Sequence, residues 1–140
     1  MPEKKTIEAA KRDAKEGKSL STQAGEFVRE EIHHVREGKH GAKSAKQAIA
    51  IGLSKARRAG VRLQAPKRSA SKRTRKQAKR DTAKGAANAH AKPSPRRSRG
   101  AKRALARQGH AAASHAALSR QARQSARRRR SEKRQAAPAA

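Results

Sequence analysis

Residues 30–40 read EEIHHVREGKH, and within them Glu30, Glu31, His33, His34 and His40 are the side chains best placed to do chemistry. Two neighbouring carboxylates serve general acid–base catalysis when an apolar setting pushes their pKa values apart. Histidines at helical spacing can hold a divalent metal. Neither pattern is complete here. Glu30 and Glu31 are consecutive, so a helix points them in different directions. His33 and His34 splay by about 100° around the same helix, whereas two ligands on one helix take i and i+4. There is no cysteine, and no core is evident around either acid. The expectation is helix-surface carboxylates and surface histidines, with no catalytic residue, no metal and no cofactor. A Gly-rich phosphate loop and a serine in a strained turn are also missing, so the chain is not expected to be an enzyme.

The strong chemical signal is basic. Thirty-nine Lys and Arg face ten Asp and Glu, for a net charge of +29. Residues 1–37 balance their charges, while residues 38–140 hold two acids, Asp81 and Glu132. The bases come in clusters. One is Lys72, Arg73, Arg75, Lys76, Lys79 and Arg80; the next is Arg96, Arg97, Arg99, Lys102 and Arg103. The last holds Arg127, Arg128, Arg129, Arg130, Lys133 and Arg134. Like charge at this density repels itself and calls for a polyanion, of which nucleic acid is the commonest. No aromatic interleaves the clusters, so the base stacking that single-strand binders use is not available. Contact with the phosphate backbone and little base readout is the expectation. At residues 94–97, SPRR could fix a turn through Pro95 and direct Arg96 and Arg97 into a narrow minor groove. The plainer reading is a Ser-Pro linker.

The elements that must position these side chains start from a short charged segment, 1–19, read as a helix over 3–16 ended by Gly17. A second helix is expected from Ser21 or Thr22 as cap to about Glu37, with Gly38 at its stop. Ala24, Val28, Glu31, Ile32 and Val35 share a face, flanked by Phe27. Ser44 and Gln47 have the spacing of a capping box. The helix they open should run to Ala59, with Gly60 just past its end. Ala45, Ile49, Gly52, Leu53 and Ala56 line its apolar stripe, and Gly52 there would let a neighbouring helix approach closely. The expected core of this hairpin, 20–64, is Phe27, Val28, Ile32, Val35, Ile49 and Leu53. A helix-turn-helix reading would place Lys43, Lys46, Lys55, Arg57 and Arg58 on phosphates. The 38–43 connection is longer than the usual turn, which favours a basic solvated face instead.

Beyond Leu63 the only large apolar residues are Leu105 and Leu118. A buried large side chain gains roughly 1.5–3 kcal/mol, and ordering one residue costs about 1–2 kcal/mol. Residues 65–100 are therefore expected to be a disordered basic linker. Residues 101–140, rich in Ala, Arg and Gln, are expected to be partly helical, with a C-terminal helix that phosphates would stabilise. No stretch is apolar enough to span a membrane, and no signal-peptide pattern opens the chain. The protein should be soluble and stay in the compartment where it is made.

KQAIAIGLSKARRAG (46–60), following FVREEIHHVREGK (27–39), resembles the core of an uncharacterised family of small basic bacterial proteins. Their shared helix has the form K-Q-A-I-A-I-x-L-S-x-A-R, matched here by Lys46 to Ile51, Leu53, Ser54, Ala56 and Arg57. The resemblance covers roughly residues 24–64 and implies no particular activity. Gly52 stands where members more often have Ala, and Lys55 where they often have Glu. The later residues are similar to linker-histone tails and to the Lys/Ala/Pro-rich tails of bacterial histone-like proteins, with KPSPRR (92–97) resembling their S-P-K/R-K/R unit. That likeness implies a DNA-binding, nucleoid-associated protein of the cytoplasm.

The whole reads as a mostly disordered chain with α-helices, a short helical hairpin and an Ala/Arg-rich tail. It is expected to bind and condense DNA without sequence preference, with RNA or ribosome binding as the alternative. The hairpin would serve self-association or a protein partner, and in a third reading it is the functional part, as an adaptor.

Overall fold

Among the described residues, every α-helix after the first is capped by a serine. The computed structural model describes residues 2–138, and residues 1 and 139–140, at the ends of the first and last expected segments, lie outside them. Helix α1 spans Lys4–Lys15 and α2 Leu20–Arg36. Helix α3 spans Ala45–Arg58, α4 Lys72–Ala87, α5 Pro95–Ala106 and α6 His115–Ala136, with a 3₁₀ turn at Ala111–Ala113 before α6. Ser19, Ser44, Ser71, Ser94 and Ser114 each accept a hydrogen bond from the backbone N–H three residues on. This satisfies one of the orphan donors at a helix start. The cap of α2 is thus Ser19, ahead of the expected Ser21 or Thr22. Gln47 Oε1 accepts from the N–H of Lys43 rather than that of Ser44, one residue beyond a standard capping box. Gly17, Gly38 and Gly60 end the first three helices with φ of +71°, +75° and +98°, as their positions in the sequence imply.

The expectation of a mostly disordered chain is overturned. The described residues are mostly helical, and the supposed linker at 65–100 contains all of α4 and the first half of α5. The expected boundary at 100/101 falls inside α5. The reason lies in small residues, which a count of large apolar side chains overlooks. Helix α3 packs against α2 on one side and α4 on another, and it also meets the 3₁₀ turn and α6. Helix α1 lies on α2.

Two small cores result. One joins Ala10, Ala24, Phe27 and Ala56, with Ile7, Leu53, Val61 and Leu63 around them. The other joins Val35, Ala42, Ala48, Ala112 and Ala113, with Ile32 beside them. The core is therefore not confined to 20–64, because α1 and the 3₁₀ turn both contribute to it. Of the expected hairpin core, Phe27 and Val35 are fully buried, while Val28, Ile32, Ile49 and Leu53 are half-buried. Backbone bonds extend the assembly. The N–H groups of Gly41 and Ala42 donate to the carbonyls of Leu105 and Gly109, at 3.0 and 3.1 Å. Arg36 Nε donates to the Ala113 carbonyl at 2.8 Å.

Gly52 permits the closest part of the α2–α3 contact: a Cβ there would stand 2.6 Å from Val28 Cα. Gly25 in α2 has nothing within 4 Å of such a Cβ. Gly52→Ala should cost about 1–3 kcal/mol through overpacking. Gly25→Ala should gain roughly 0.5–1 kcal/mol from helix propensity. Urea unfolding of the two variants checks this, and equal effects would contradict the packing.

Candidate nucleic-acid interface

Helix α4 sorts its residues by face. Ala78, Asp81 and Gly85, at i, i+3 and i+7, are buried against α3. Lys72, Arg73, Arg75, Lys76, Lys79 and Arg80 all stay exposed. Helix α5 has no buried residue, and Arg96, Arg97, Arg99, Lys102 and Arg103 are exposed on it. The SPRR unit is the start of this helix. Ser94 Oγ accepts from the N–H of Arg97, and Pro95 takes the first helical position, where its fixed φ and missing N–H cost nothing. The turn expected there is thus a helix N-cap.

Helix α6, about 33 Å long at 1.5 Å per residue, half-buries Leu118, Gln121 and Ser125 along one stripe. Arg127, Arg128, Arg129, Arg130, Lys133 and Arg134 are exposed. Arg120 and Arg123 are exposed on the same helix and extend this set. The structure thus distributes the expected basic residues over three helices. None of those expected residues forms an ion pair among the described residues.

The acids are used elsewhere. Asp81, 1% exposed, accepts from Ser54 Oγ at 2.6 Å, Arg58 Nε at 2.7 Å and Gln77 Nε2 at 3.0 Å. The bonds from Ser54 and Arg58 tie α4 to α3, Gln77 supports Asp81 from within α4, and the exposed face of α4 carries no acid. Glu132 of α6 accepts from Lys67 Nζ at 2.5 Å on the surface. Glu31 on α2 is fully buried and takes Lys55 of α3.

Lys55 and Arg58 are therefore engaged by Glu31 and Asp81, and Arg57 Nη2 donates to the Gln64 carbonyl at 3.3 Å. Lys43 and Lys46 stay exposed, but α3 packs against α2, α4, the 3₁₀ turn and α6, so it does not stand free as a recognition helix. The reading of Glu30 and Glu31 as surface charges is also corrected, because both are buried. His33 is exposed as expected, but His34 and His40 are half-buried against Glu31. Glu3 reaches the same cluster. Its carboxylate lies 3.0 Å from His34 Nε2 and 3.3 Å from Lys39 Nζ. The hydrogen bonds from His34 and then Lys39 hold the Glu3 carboxyl below its ordinary pKa. The i, i+3 pair Glu31–His34 was visible in the sequence, but the approach of His40 from beyond the helix was not.

Phe27, the chain's sole Phe, Tyr or Trp, is buried, so no such ring is offered to a base. Among the described residues, no helix is long and apolar enough to cross a membrane. No protein-family model matches the chain, and no curated protein and no solved structure is similar to it. The family resemblance read over residues 24–64 gains no support from these comparisons.

Asp81→Asn keeps the shape of the side chain but removes the charge that Arg58, Ser54 and Gln77 share. Hydrogen bonds to charged groups contribute about 1.5–3 kcal/mol, and a loss in that range is expected. Glu132→Gln removes a surface pair worth no more than about 1 kcal/mol. Urea denaturation of both variants tests the ordering, and a reversed order would contradict the role given to Asp81.

Proposed function

We propose that this chain is a non-enzymatic protein that binds nucleic acid, DNA ahead of RNA, by phosphate neutralisation. The observation that carries this reading is the separation of charge. The acids nearest the basic helices are turned to internal or local partners, and the exposed bases of α4, α5 and α6 stand uncompensated. On folded helices the backbone is already ordered, so meeting phosphates costs the ordering of side chains only. The same charges attract a polyanion over a long range at low salt. Basic groups on three helices suit contact with more than one duplex, which supports a condensing, histone-like role. The apolar face of the α2–α3 hairpin is turned inward to α1 and the 3₁₀ turn. Self-association or adaptor binding through that face therefore gains no support.

Binding by counterion release makes log K fall linearly with log salt, with a slope of about −0.9 per phosphate contacted on duplex DNA. With about ten phosphates engaged, affinity should drop by roughly 10³–10⁵ between about 50 and 200 mM salt. Replacing Arg127, Arg128, Arg129 and Arg130 with Gln should make the slope shallower by up to about four contacts, equally for every sequence. Helix α6 has no buried residue, so circular dichroism should not change. The measurement is titration of several DNA duplexes and one RNA duplex across that salt range. A shallow slope, or one duplex preferred about a hundredfold, would contradict backbone binding. A clear preference for the RNA duplex would overturn the choice of DNA.

A further inference from the structure

Around Glu31 the structure turns three lone-pair-bearing groups toward one another. Glu31 is fully buried, and its Oε1 is bonded to Lys55 Nζ. Its Oε2 lies 3.1 Å from His40 Nε2 yet has no hydrogen-bond partner, so the two atoms are close without being aligned as donor and acceptor. One turn along α2, His34 places Nδ1 3.7 Å from Glu31 Oε1. The two imidazole rings meet edge to face with centroids 5.8 Å apart.

The outer nitrogens of both rings each face an acceptor. His40 Nδ1 lies 2.9 Å from the Gly41 carbonyl. A carbonyl can only accept, so Nδ1 carries a proton. His34 Nε2 lies 3.0 Å from Glu3 Oε1, and a carboxylate likewise accepts. A neutral imidazole has one N–H and one lone pair. In those neutral tautomers the lone pairs of His40 Nε2 and His34 Nδ1 face the Glu31 carboxylate, of which Lys55 covers only Oε1, and either a proton on each ring or one divalent cation between them relieves that convergence.

We propose that Glu31, His34 and His40 form a binding site for one divalent transition-metal ion of the zinc class. Their ligand atoms all lie within 4.8 Å of one another. Two ligands each about 2.0–2.1 Å from a tetrahedral zinc stand roughly 3.3 Å apart, close to the separation of His40 Nε2 and Glu31 Oε2. Two imidazoles and a carboxylate are an ordinary donor set for zinc, with water in the fourth position. The supporting contacts are also in place: Glu3 on His34, the Gly41 carbonyl on His40, and Lys55 on the other oxygen of Glu31. Such partners orient metal ligands and fix their tautomers. The charge is also reasonable. Glu3, Glu30, Glu31 and Glu37 outnumber Lys5, Lys39 and Lys55 in this cluster, and a divalent ion brings the same charge as two imidazole protons. The ion fastens α2 to the loop before α3, and Lys55 and Glu3 join α3 and the N-terminal segment to the same ligands.

The test uses the full chain, stripped with a chelator and titrated with Zn²⁺ against a chromophoric competitor. Its histidines are followed by long-range ¹H–¹⁵N NMR. One Zn²⁺ should bind per chain and shift His34 Nδ1 and His40 Nε2 while the two outer N–H groups persist. His33→Ala should leave the affinity unchanged. Glu3→Gln should weaken it by about 10–100-fold, and His40→Ala by more. The proposal fails if His40→Ala binds as tightly as wild type. It also fails if Zn²⁺ perturbs His33, His90, His110 and His115 as much as His34 and His40, or leaves both imidazoles doubly protonated. The NMR arm reads the wild-type chain, so the test stands even where a variant unfolds.

Discussion

Three contacts in this protein leave no room for a methyl group, and the helix arrangement depends on them. A Cβ at Gly52 would lie 2.6 Å from the Val28 backbone, one at Gly85 2.0 Å from the Arg57 carbonyl, and one at Gly41 1.9 Å from the Gln108 carbonyl. These glycines sit where α3 meets α2, where α4 meets the end of α3, and where the loop before α3 meets the end of α5. Small side chains reach few partner atoms, so the dispersion gained across these contacts grows as the backbones approach. With so few large apolar residues, close approach takes the place of a broad hydrophobic core. It also brings short polar reaches within bonding range, as where Asp81 meets Ser54 and Arg58.

That geometry gives the charge its distribution. Carboxylates on α2 and α4 are drawn inside and face bases on α3. Each such link carries a desolvation cost that good geometry and added hydrogen bonds must offset, and Asp81, with three donors, meets that condition. Glu31 meets it less fully, since one of its oxygens is unbonded. The basic side chains of α4, α5 and α6 have no comparable partners. Their mutual repulsion is spread over separate helix surfaces, and phosphates would relieve it.

The sequence made the first half of the fold legible. The stops at Gly17, Gly38 and Gly60, the cap at Ser44 and the close approach at Gly52 follow from residue type and position. The second half was misread because Ala78, Gly85, Ala112 and Ala113 do not register as core when only large side chains are counted. Ser71, Ser94 and Ser114 were available as helix caps in the same stretch, but they were lost among Lys, Arg and Pro. Asp81 and Glu132, the two acids beyond residue 38, were the clearest overlooked signal. Asp81 anchors α4 to α3 from a buried position, whereas Glu132 makes only a surface pair with Lys67. The exposed bases were legible throughout, because a charged residue without a partner stays in water in either a coil or a helix. Burial of His34 and His40 was not, since it depends on a loop returning to α2.

The central claim is that the basic residues are carried by helices folded onto α3 before any polyanion arrives. Native-state hydrogen exchange on the free protein tests it most directly. Amides of α4 around Ala78, Asp81 and Gly85 should be protected and should open together with those of α3 as one unit. Exchange of α4 at unprotected rates in the free chain, with protection appearing only on adding DNA, would contradict the account.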